Sequence, residues 1–293
     1  MRLLKITPPA SRVSDLLSLI RAPAALSIPG DVLAGAVADG RPTAARTLGM
    51  TASSICLYWG GMALNDYADA VVDAVERPGR PVPSGRISRR GALAVAGGLT
   101  VAGVGLAAVA GRRRGLATAV PIAGLVWAYD LALKSTPAGP AAMAGARAMD
   151  VLAGARSTAP ALPAALVVGA HTYTVMALSR HEVDGAPASV PAATLACSTA
   201  VGLAAAALPT ARVPRLAAAG AVLDYLGTYG LAQVRGVRAP SARNIQRAVS
   251  DGILGLMPLQ AALAAGRGAV VPAAALVAAH PMARRLARRV SPT

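Results

Sequence analysis

Long apolar runs follow one another along the chain, separated by short polar segments. A helix that crosses a membrane needs about 20 mostly apolar residues. Runs of roughly this kind cover residues 22–38, 48–64, 93–110, 116–133, 141–155, 161–178, 192–208, 216–234, 248–265 and 269–283. The run 141–155 is the weakest because it contains Arg147 and Asp150, and the last run is short. The runs are continuous rather than alternating, which argues against a membrane β-barrel.

The pattern predicts an all-α fold: a polytopic membrane helical bundle of nine core transmembrane helices with an extra hydrophobic helix at the C-terminal end. No segment remains for a soluble domain, so we interpret residues 1–293 as a single transmembrane domain. Residues 1–12 are polar and broken by prolines, so we expect no cleavable signal peptide.

The composition agrees with a membrane protein. Hydrophobic residues make up 55% of the chain and charged residues only 14%, whereas soluble proteins average about 25% charged residues. Cys56 and Cys197 both lie in apolar runs, so they form no metal-binding spacing and we expect no disulfide framework.

The basic residues predict how the chain is oriented. With the N-terminus in the cytoplasm, about twice as many Lys and Arg residues fall in cytoplasmic loops as in outer loops. The run Arg112–Arg114 is the exception, since it lies on the outer side. Loops facing anionic lipid account for the net charge of +16 without a nucleic-acid partner. The longer polar loops are cytoplasmic in this orientation, so we expect a central cavity open to that side.

An acidic stripe stands at the inner end of the second run. Asp66, Asp69 and Asp73 are spaced by three and four residues, and Asn65 lies four residues before Asp69. On a helix these side chains share one face. Three clustered carboxylates repel one another and lose hydration at a membrane boundary, so a cation would relieve the cluster. Oxygen ligands alone suit Mg²⁺, although a helix end whose acids simply face water is the alternative.

A stiff basic loop follows the acidic stripe. Residues 76–86 contain three prolines and two glycines, which favour tight turns. They also place Arg77, Arg80 and Arg86 close to the carboxylates. Forked guanidinium donors suit phosphate oxygens, so stripe and loop together indicate a diphosphate site. Ordinary cytoplasmic loop charge is the alternative interpretation.

The segment NDYADAVVDAVERPGRPVPSGRIS carries a family resemblance. It resembles the first signature of the UbiA superfamily of intramembrane prenyltransferases, N-D-x-x-D-x-x-x-D followed by a basic R-P-x-x-x-G loop. In that family the acidic residues bind Mg²⁺ and, through it, the diphosphate of an isoprenoid donor. The resemblance implies that the metal is bound by Asn65, Asp66, Asp69 and Asp73, of which the three aspartates are catalytic. It also implies that the diphosphate is bound by Asn65, Arg77, Arg80 and Arg86.

A second part of the resemblance follows the fourth run. Tyr129 and Lys134 match the Y-x-x-x-x-K element of the family, whose lysine approaches the diphosphate. The resemblance implies that Lys134 is catalytic and that Tyr129 binds substrate. Lys134 is one of only two lysines in a chain that otherwise uses arginine, which favours a specific role for a compact ammonium group. An interfacial anchor is the alternative for Lys134 considered alone.

The second acidic signature of the family is altered here. Where the family has D-x-x-x-D, this chain has Ser179–Gly185, in which only Glu182 and Asp184 are acidic. Two residues apart, they would not share a helix face, although an irregular loop could bring them together. We predict that Glu182, Asp184 and His181 bind substrate, with His181 as a base or a hydrogen-bond donor. The departure indicates a divergent branch of the superfamily.

Other polar and small residues lie within the runs. Arg147 and Asp150 are three residues apart, so they are expected either to pair with each other or to leave Arg147 facing the cavity. The pairs Gly60–Gly61 and Gly97–Gly98 predict close helix packing.

The function favoured by the sequence is prenyl transfer at the membrane. An allylic polyprenyl diphosphate would be the donor, Mg²⁺ the cofactor, and an aromatic or other small lipophilic molecule the acceptor. A transporter or lipid-binding protein with an intramembrane acidic site is the alternative from another class. Transporters commonly show repeated halves, and the acidic stripe has no second copy of equal strength. A sugar-phosphate acceptor, or cyclisation without an acceptor, would remain within the superfamily.

Overall fold

The computed structural model describes residues 12–21, 27–40, 42–209 and 211–290. The N-terminal residues 1–11 and the first residues of the apolar run 22–38 therefore lie outside the described residues. Within the described ranges the chain is helical and contains no strand. Its α-helices are α1 (Arg12–Leu19), α2 (Ile28–Ala38), α3 (Ala44–Ala68), α4 (Ala70–Glu76), α5 (Arg89–Ala128), α6 (Gly139–Gly154), α7 (Thr158–Ser179), α8 (Ser189–Ala207), α9 (Arg212–Tyr225), α10 (Leu231–Arg238), α11 (Ala242–Gly266) and α12 (Val270–Val290).

Two π-helical turns continue helices without a break in the chain. Tyr129–Leu133 extends α5, and Leu226–Gly230 joins α9 to α10. The predicted run 216–234 therefore forms one irregular helical rod rather than a regular helix. Such turns are frequent at functional sites, and the first of them lies beside the acidic stripe.

Helix α5 is a hairpin of two membrane-length legs. Arg112 has φ 53° and ψ −138°, which is not helical, so the chain reverses there. Trp127 Nε1 donates to Thr100 Oγ1 at 3.1 Å, although 27 residues separate them in sequence. A Cβ on Gly115 would lie only 2.1 Å from the carbonyl oxygen of Ala107. The predicted runs 93–110 and 116–133 are therefore confirmed as antiparallel neighbours.

The helices have the length and polarity of a multi-pass membrane protein. In the described part of the chain, four segments are long and apolar enough to span a membrane: Arg89–Leu133, Thr158–Ser179, Ser189–Ala207 and Ala242–Gly266. The first of these contains both legs of the hairpin. Helix α2 is apolar but shorter. The all-helical membrane bundle predicted from the sequence is thus confirmed, while the number of spans stays a prediction.

Helices α2 and α6 cross at two glycines. A Cβ on Gly35 would lie 1.7 Å from the carbonyl oxygen of Val151, and a Cβ on Gly154 would lie 1.9 Å from that of Val32. Each glycine therefore faces the backbone of the other helix, an approach that any side chain would prevent.

The predicted glycine packing is confirmed at one pair and wrong at the other. A Cβ on Gly60 would lie 3.2 Å from the carbonyl oxygen of Ala96, and one on Gly61 would lie 2.7 Å from Val126. Nothing lies within 4 Å of the corresponding positions on Gly97 and Gly98. The second pair faces open space on the outside of the hairpin, so paired glycines alone did not identify the packed face.

The loops sort onto two opposite faces, as the alternation of runs predicts. On one face Lys134 contacts Asp69, and Gln246 donates to the backbone oxygen of Glu182 at 3.0 Å. On the other face Arg46 donates to the last carbonyl groups of α6, including Gly154 O at 2.5 Å. Asp39 there accepts from the backbone N–H of Ser157 at 3.1 Å.

Arg147 and Asp150 do not form an ion pair with each other, which was one of the two arrangements predicted from the sequence. Arg147 Nε instead lies 2.9 Å from Asp31 Oδ2 on α2, and Asp150 accepts a hydrogen bond from Ser54 on α3. Gln260 on α11 donates to Asp31 Oδ1 at 2.7 Å. This buried cluster joins four helices, and removing either Asp31 or Arg147 would leave the other charge buried and unpaired.

Candidate active site

The acidic stripe crosses a junction between two helices. Helix α3 ends at Ala68 and α4 begins at Ala70, so Asp69 lies between them. The backbone N–H of Asp69 still donates to Asn65 O at 2.8 Å, and that of Asp73 donates to Asp69 O at 2.8 Å. The helical spacing therefore continues through the junction, and Asp66 and Asp73 both reach the same arginine.

Arg80 joins the two ends of the stripe. Its Nη1 lies 2.5 Å from Asp73 Oδ2 and 3.5 Å from Asp66 Oδ1. Arg77 Nη1 lies 3.5 Å from Asp73 Oδ1. Each of these two aspartates is only 1% exposed, so the guanidinium groups neutralise carboxylates that have little access to water.

The loop that carries these arginines is held by its own hydrogen bonds. Ser84 Oγ donates to Arg80 O at 2.7 Å, and the backbone N–H of Ile87 donates to Pro81 O at 3.0 Å. The prolines limit the backbone further. The stiff loop predicted from its composition is therefore observed, and it fixes Arg80 over the stripe.

Arg21 is a site residue that the sequence did not identify. It follows the short helix α1, and its Nη2 lies 2.9 Å from Asp66 Oδ1 and 3.2 Å from Asn65 Oδ1. Leu19 is fully buried against Ala63 and Leu64 of α3, which holds this segment over the site. In the sequence Arg21 was one of many cytoplasmic loop charges, because nothing in its spacing indicated a contact 45 residues away.

The turn Tyr129–Leu133 brings two further charges to the stripe. Lys134 contacts Asp69 directly. Asn65 Nδ2 donates to Asp69 Oδ2 at 3.0 Å and to Asp130 Oδ1 at 3.3 Å. Asp130 is only 5% exposed and was not predicted as a site residue. Tyr129, which was predicted, lies within electrostatic range of Asp69 and Asp130.

Arg86 does not reach the acidic stripe. Its Nη1 lies 2.6 Å from Asp15 Oδ1 on α1, and its Nη2 donates to Gly79 O at 2.7 Å. In this structure it braces the basic loop against α1 rather than facing Asp66 or Asp73.

The altered second signature forms a turn after α7. The backbone N–H of His181 donates to Leu178 O at 2.9 Å, which starts the turn. Glu182 is half-buried, and Asp184 is exposed. Burial raises the pKa of Glu182 above its usual range, and the positive charge of Arg77 opposes that rise. Arg77 of the basic loop therefore acts on Glu182 through its charge, and among the described contacts none brings Glu182 and Asp184 to one point.

The site balances its charges. Four carboxylates stand beside four cationic side chains: Asp66, Asp69, Asp73 and Asp130 with Arg21, Arg77, Arg80 and Lys134. In the described residues no three His, Cys, Asp or Glu side chains converge as a ready-made metal site. The donors are nevertheless all oxygens of the kind Mg²⁺ prefers. Their cationic partners are the groups that a diphosphate would bind, so the residues fit a metal and a diphosphate together.

A polar pair lies far from this site. Asp224 Oδ2 on α9 is 3.0 Å from His280 Nδ1 on α12, beside an apolar cleft of about 220 Å³ between α9, α11 and α12. The cleft is lined mainly by alanine, glycine and valine.

Comparison with known proteins places these features in a family. A model of the UbiA prenyltransferase family matches residues 27–279. Similar proteins include digeranylgeranylglyceryl phosphate synthases of Methanopyrus kandleri, 44% identical over 108 residues (37% of this chain, 38% of that protein), and of Haloquadratum walsbyi, 41% identical over 92 residues (31% of each chain). The matched segments thus span about a third of the length of these relatives.

Solved structures show the same fold at low sequence identity. An apo UbiA homologue from Aeropyrum pernix has a TM-score of 0.62 and 17% identity, covering 84% of this chain and 97% of that chain. A UbiA homologue from Archaeoglobus fulgidus bound to GPP and Mg²⁺ has a TM-score of 0.58 and 13% identity, covering 88% of this chain and 100% of that chain. The family resemblance that the acidic signature suggested is confirmed, because the family model matches most of the chain. The chain therefore belongs to the UbiA prenyltransferase family.

Proposed function

We propose that this protein transfers an isoprenyl group from an allylic polyprenyl diphosphate to a small lipophilic acceptor, aromatic or of another kind, with Mg²⁺ as cofactor. The observation that carries the proposal is the mouth of the bundle, where four carboxylates are interleaved with four cations. The relatives named as digeranylgeranylglyceryl phosphate synthases support a prenyl donor. The neighbouring structure bound to GPP and Mg²⁺ supports both the donor class and the metal.

Donor binding follows from an exchange of ion pairs. Arg21, Arg80 and Lys134 now neutralise aspartates of the stripe. Their N–H groups would turn to the diphosphate oxygens, while Asn65, Asp66, Asp69 and Asp73 would hold the metal. A bound Mg²⁺ supplies positive charge to the diphosphate. Because the carboxylates and the cations exchange partners together, neither set is left buried and unpaired.

The chemical step requires stabilisation of the leaving group. The bond between C1 of the prenyl chain and the diphosphate oxygen breaks, and its electron pair leaves with the diphosphate. Arg77, Arg80 and Lys134 donate hydrogen bonds to that leaving group, where negative charge develops. The acceptor then forms a bond to the allylic carbon and releases a proton. The apolar helices around the mouth keep water from the cation.

Tyr129, His181, Glu182, Asp184 and Arg86 belong to the proposed site in outer roles. Tyr129 begins the π-helical turn, directly before Asp130, and Glu182 is half-buried in the turn after α7. Arg86 supports the loop through Asp15. The face that carries these residues is proposed to lie in the cytoplasm, with the N-terminus on the same side, as the excess of basic residues favours.

A transfer assay tests the proposal. Membranes containing the full chain are given Mg²⁺ and geranylgeranyl diphosphate labelled in its prenyl group, together with a lipid extract as a source of acceptor. The expected result is labelled lipid product and release of equimolar diphosphate, both abolished in Asp66→Asn. Diphosphate release that is equally fast in Asp66→Asn and in the unchanged protein would contradict it.

A further inference from the structure

Asp130 is a buried carboxylate without an ion pair. It is 5% exposed, and in the described residues no Lys, Arg or His nitrogen lies within 4 Å of its oxygens. Its hydrogen bond comes from the neutral amide of Asn65, at 3.3 Å. Lys134 and Arg21 act on it only from longer range. An unpaired buried charge is costly, so a cation bound beside Asp130 would stabilise its carboxylate form.

The three aspartates of the stripe differ from Asp130 in this respect. Asp66 and Asp73 both contact Arg80, and Asp69 contacts Lys134. If Arg80 and Lys134 bind a diphosphate instead, a metal would take their place beside the three aspartates. Asp130 has no ion pair to exchange, so a metal bound at the stripe would neutralise it without displacing a side chain.

The backbone directs Asp130 towards Asn65 and Asp69. It lies in the π-helical turn, where the N–H of Lys134 donates to Tyr129 O at 2.9 Å. A Cβ on Gly61, one turn before Asn65, would lie 3.9 Å from Asp130 Oδ2. The carboxylate of Asp130 therefore lies close to α3 at Gly61. The amide of Asn65 consequently bridges Asp69 and Asp130.

The acidic side chains of the altered second signature make no contact with the acidic stripe among the described residues. Glu182 is half-buried and Asp184 is exposed in the turn after α7. Neither contacts the acidic stripe in this structure. Asp130 is the buried acidic side chain that does stand beside it.

We propose that Asp130 is a further magnesium ligand of this site, acting with Asn65 and Asp69. The inference rests on the proposed function, because it assumes that a metal and a diphosphate bind at the mouth of the bundle. The π-helical turn after α5 would then have two roles. It places Lys134 near the diphosphate, and it places the carboxylate of Asp130 near the metal.

Binding of Mn²⁺, observed by electron paramagnetic resonance, tests the inference without relying on activity. The purified full chain in detergent is titrated with Mn²⁺ in the presence of inorganic pyrophosphate. We expect Asp130→Asn to weaken Mn²⁺ binding about tenfold or more, the scale of one lost charged ligand. Asp39→Asn, the same substitution on the opposite face, is the matched control and is expected to leave the affinity within about twofold.

A second variant tests direct ligation and guards against misfolding. Asp130→Cys places a thiolate where the carboxylate stood, and thiolates prefer soft metals. In a chain with Cys56→Ala and Cys197→Ala, which removes the two native thiols, we expect this variant to lose Mn²⁺ affinity and to gain Cd²⁺ affinity, with a Cd–S charge-transfer absorption that the same chain with Asp130 lacks. Thermal unfolding without metal shows whether each variant is folded.

The outcomes separate the inference from the proposed function. Unchanged Mn²⁺ affinity in Asp130→Asn, or a loss in Asp184→Asn that Asp130→Asn does not share, overturns the role of Asp130 and leaves the proposed function standing. If the unchanged protein binds no Mn²⁺ with pyrophosphate, the proposed function fails, and the inference fails with it.

Discussion

At the scale of single residues, the site is explained by which acid contacts which base. Spacing alone predicted Asn65, Asp66, Asp69 and Asp73 together, because residues three and four apart on a helix share a face. Arg21 and Asp130 were not predicted, since their contacts with the stripe depend on how distant helices pack. Arg86 shows the reverse. Its position in the basic loop predicted that it binds the diphosphate, but in this structure its guanidinium group pairs with Asp15.

Replacing Arg80 tests its link between Asp66 and Asp73. Arg80→Gln leaves both buried carboxylates with less positive charge and removes donors for the diphosphate. We expect KM for the prenyl diphosphate to rise about tenfold or more, because a hydrogen bond between charged groups contributes about 1.5–3 kcal/mol. Arg90→Gln, an exposed arginine at the start of α5, is the control. Equal KM values for the two variants would show that Arg80 does not bind donor.

The pKa of Glu182 offers a second test at this scale. The chain has only two glutamates, Glu76 and Glu182. Protein made with glutamate carrying ¹³C in its side-chain carboxyl group therefore gives two NMR resonances, and the one that is missing in Glu76→Gln belongs to Glu76. Because the charge of Arg77 lowers the pKa of Glu182 against the effect of burial, Arg77→Gln is expected to raise that pKa further. A pH titration showing the same Glu182 pKa in both proteins would mean that the two side chains do not interact.

The same raised pKa sets the sign of a stability effect. A carboxyl whose pKa is higher in the folded than in the unfolded chain binds its proton more tightly when folded. The contribution of Glu182 to stability is therefore present at low pH. It is lost as the pH rises from the usual glutamate range through the raised value.

At the scale of elements, hydropathy predicted where the helices lie. The positions of glycine pairs did not by themselves predict which helices pack closely. Within the described residues each apolar run is helical, either as a helix or as one leg of the α5 hairpin, because a continuous apolar run in a membrane satisfies its backbone only as a helix. The reversal between the runs 93–110 and 116–133 was predicted, but its tight turn at Arg112 and the π-helical turns were not, since they depend on a few dihedral angles. The glycine pairs looked alike in sequence, but only the one facing α5 is packed.

The crossing of α2 and α6 gives a stability prediction. In Gly35→Ala a new methyl group would meet the carbonyl oxygen of Val151, so the helices must separate. We expect the free energy of unfolding to fall by about 1–3 kcal/mol, the usual cost of overpacking. Gly98→Ala, which meets nothing within 4 Å, should leave stability unchanged or slightly raised. Unfolding midpoints in one detergent compare the two, and a Gly35→Ala protein as stable as the control would mean that the helices do not cross so closely.

At the scale of the whole molecule, the chain separates a polar mouth from an apolar bundle. The loops after α3, the α5 hairpin and α7 meet on the face that carries the acidic stripe, while the tip of the hairpin lies on the opposite face. The sequence predicted this alternation from the order of runs. Which face lies in the cytoplasm rests on the distribution of basic residues, which reflects insertion into a membrane rather than packing.

Cysteine labelling tests the proposed orientation. In a chain with Cys56→Ala and Cys197→Ala, single cysteines are placed at exposed positions on the two faces, Ser84→Cys beside the site and Thr43→Cys opposite it. In intact cells we expect an impermeant maleimide to label position 43 and not position 84. Labelling at 84 but not at 43 would place the active site outside the cell.

Donor binding tests the central claim most directly. Equilibrium binding of labelled geranylgeranyl diphosphate is measured on the purified full chain with and without Mg²⁺, and on a variant combining Asp66→Ala and Asp69→Ala. The account predicts saturable binding that requires Mg²⁺ and is weakened about tenfold or more in the double variant. Binding that is the same without Mg²⁺, or the same in the double variant, would contradict it.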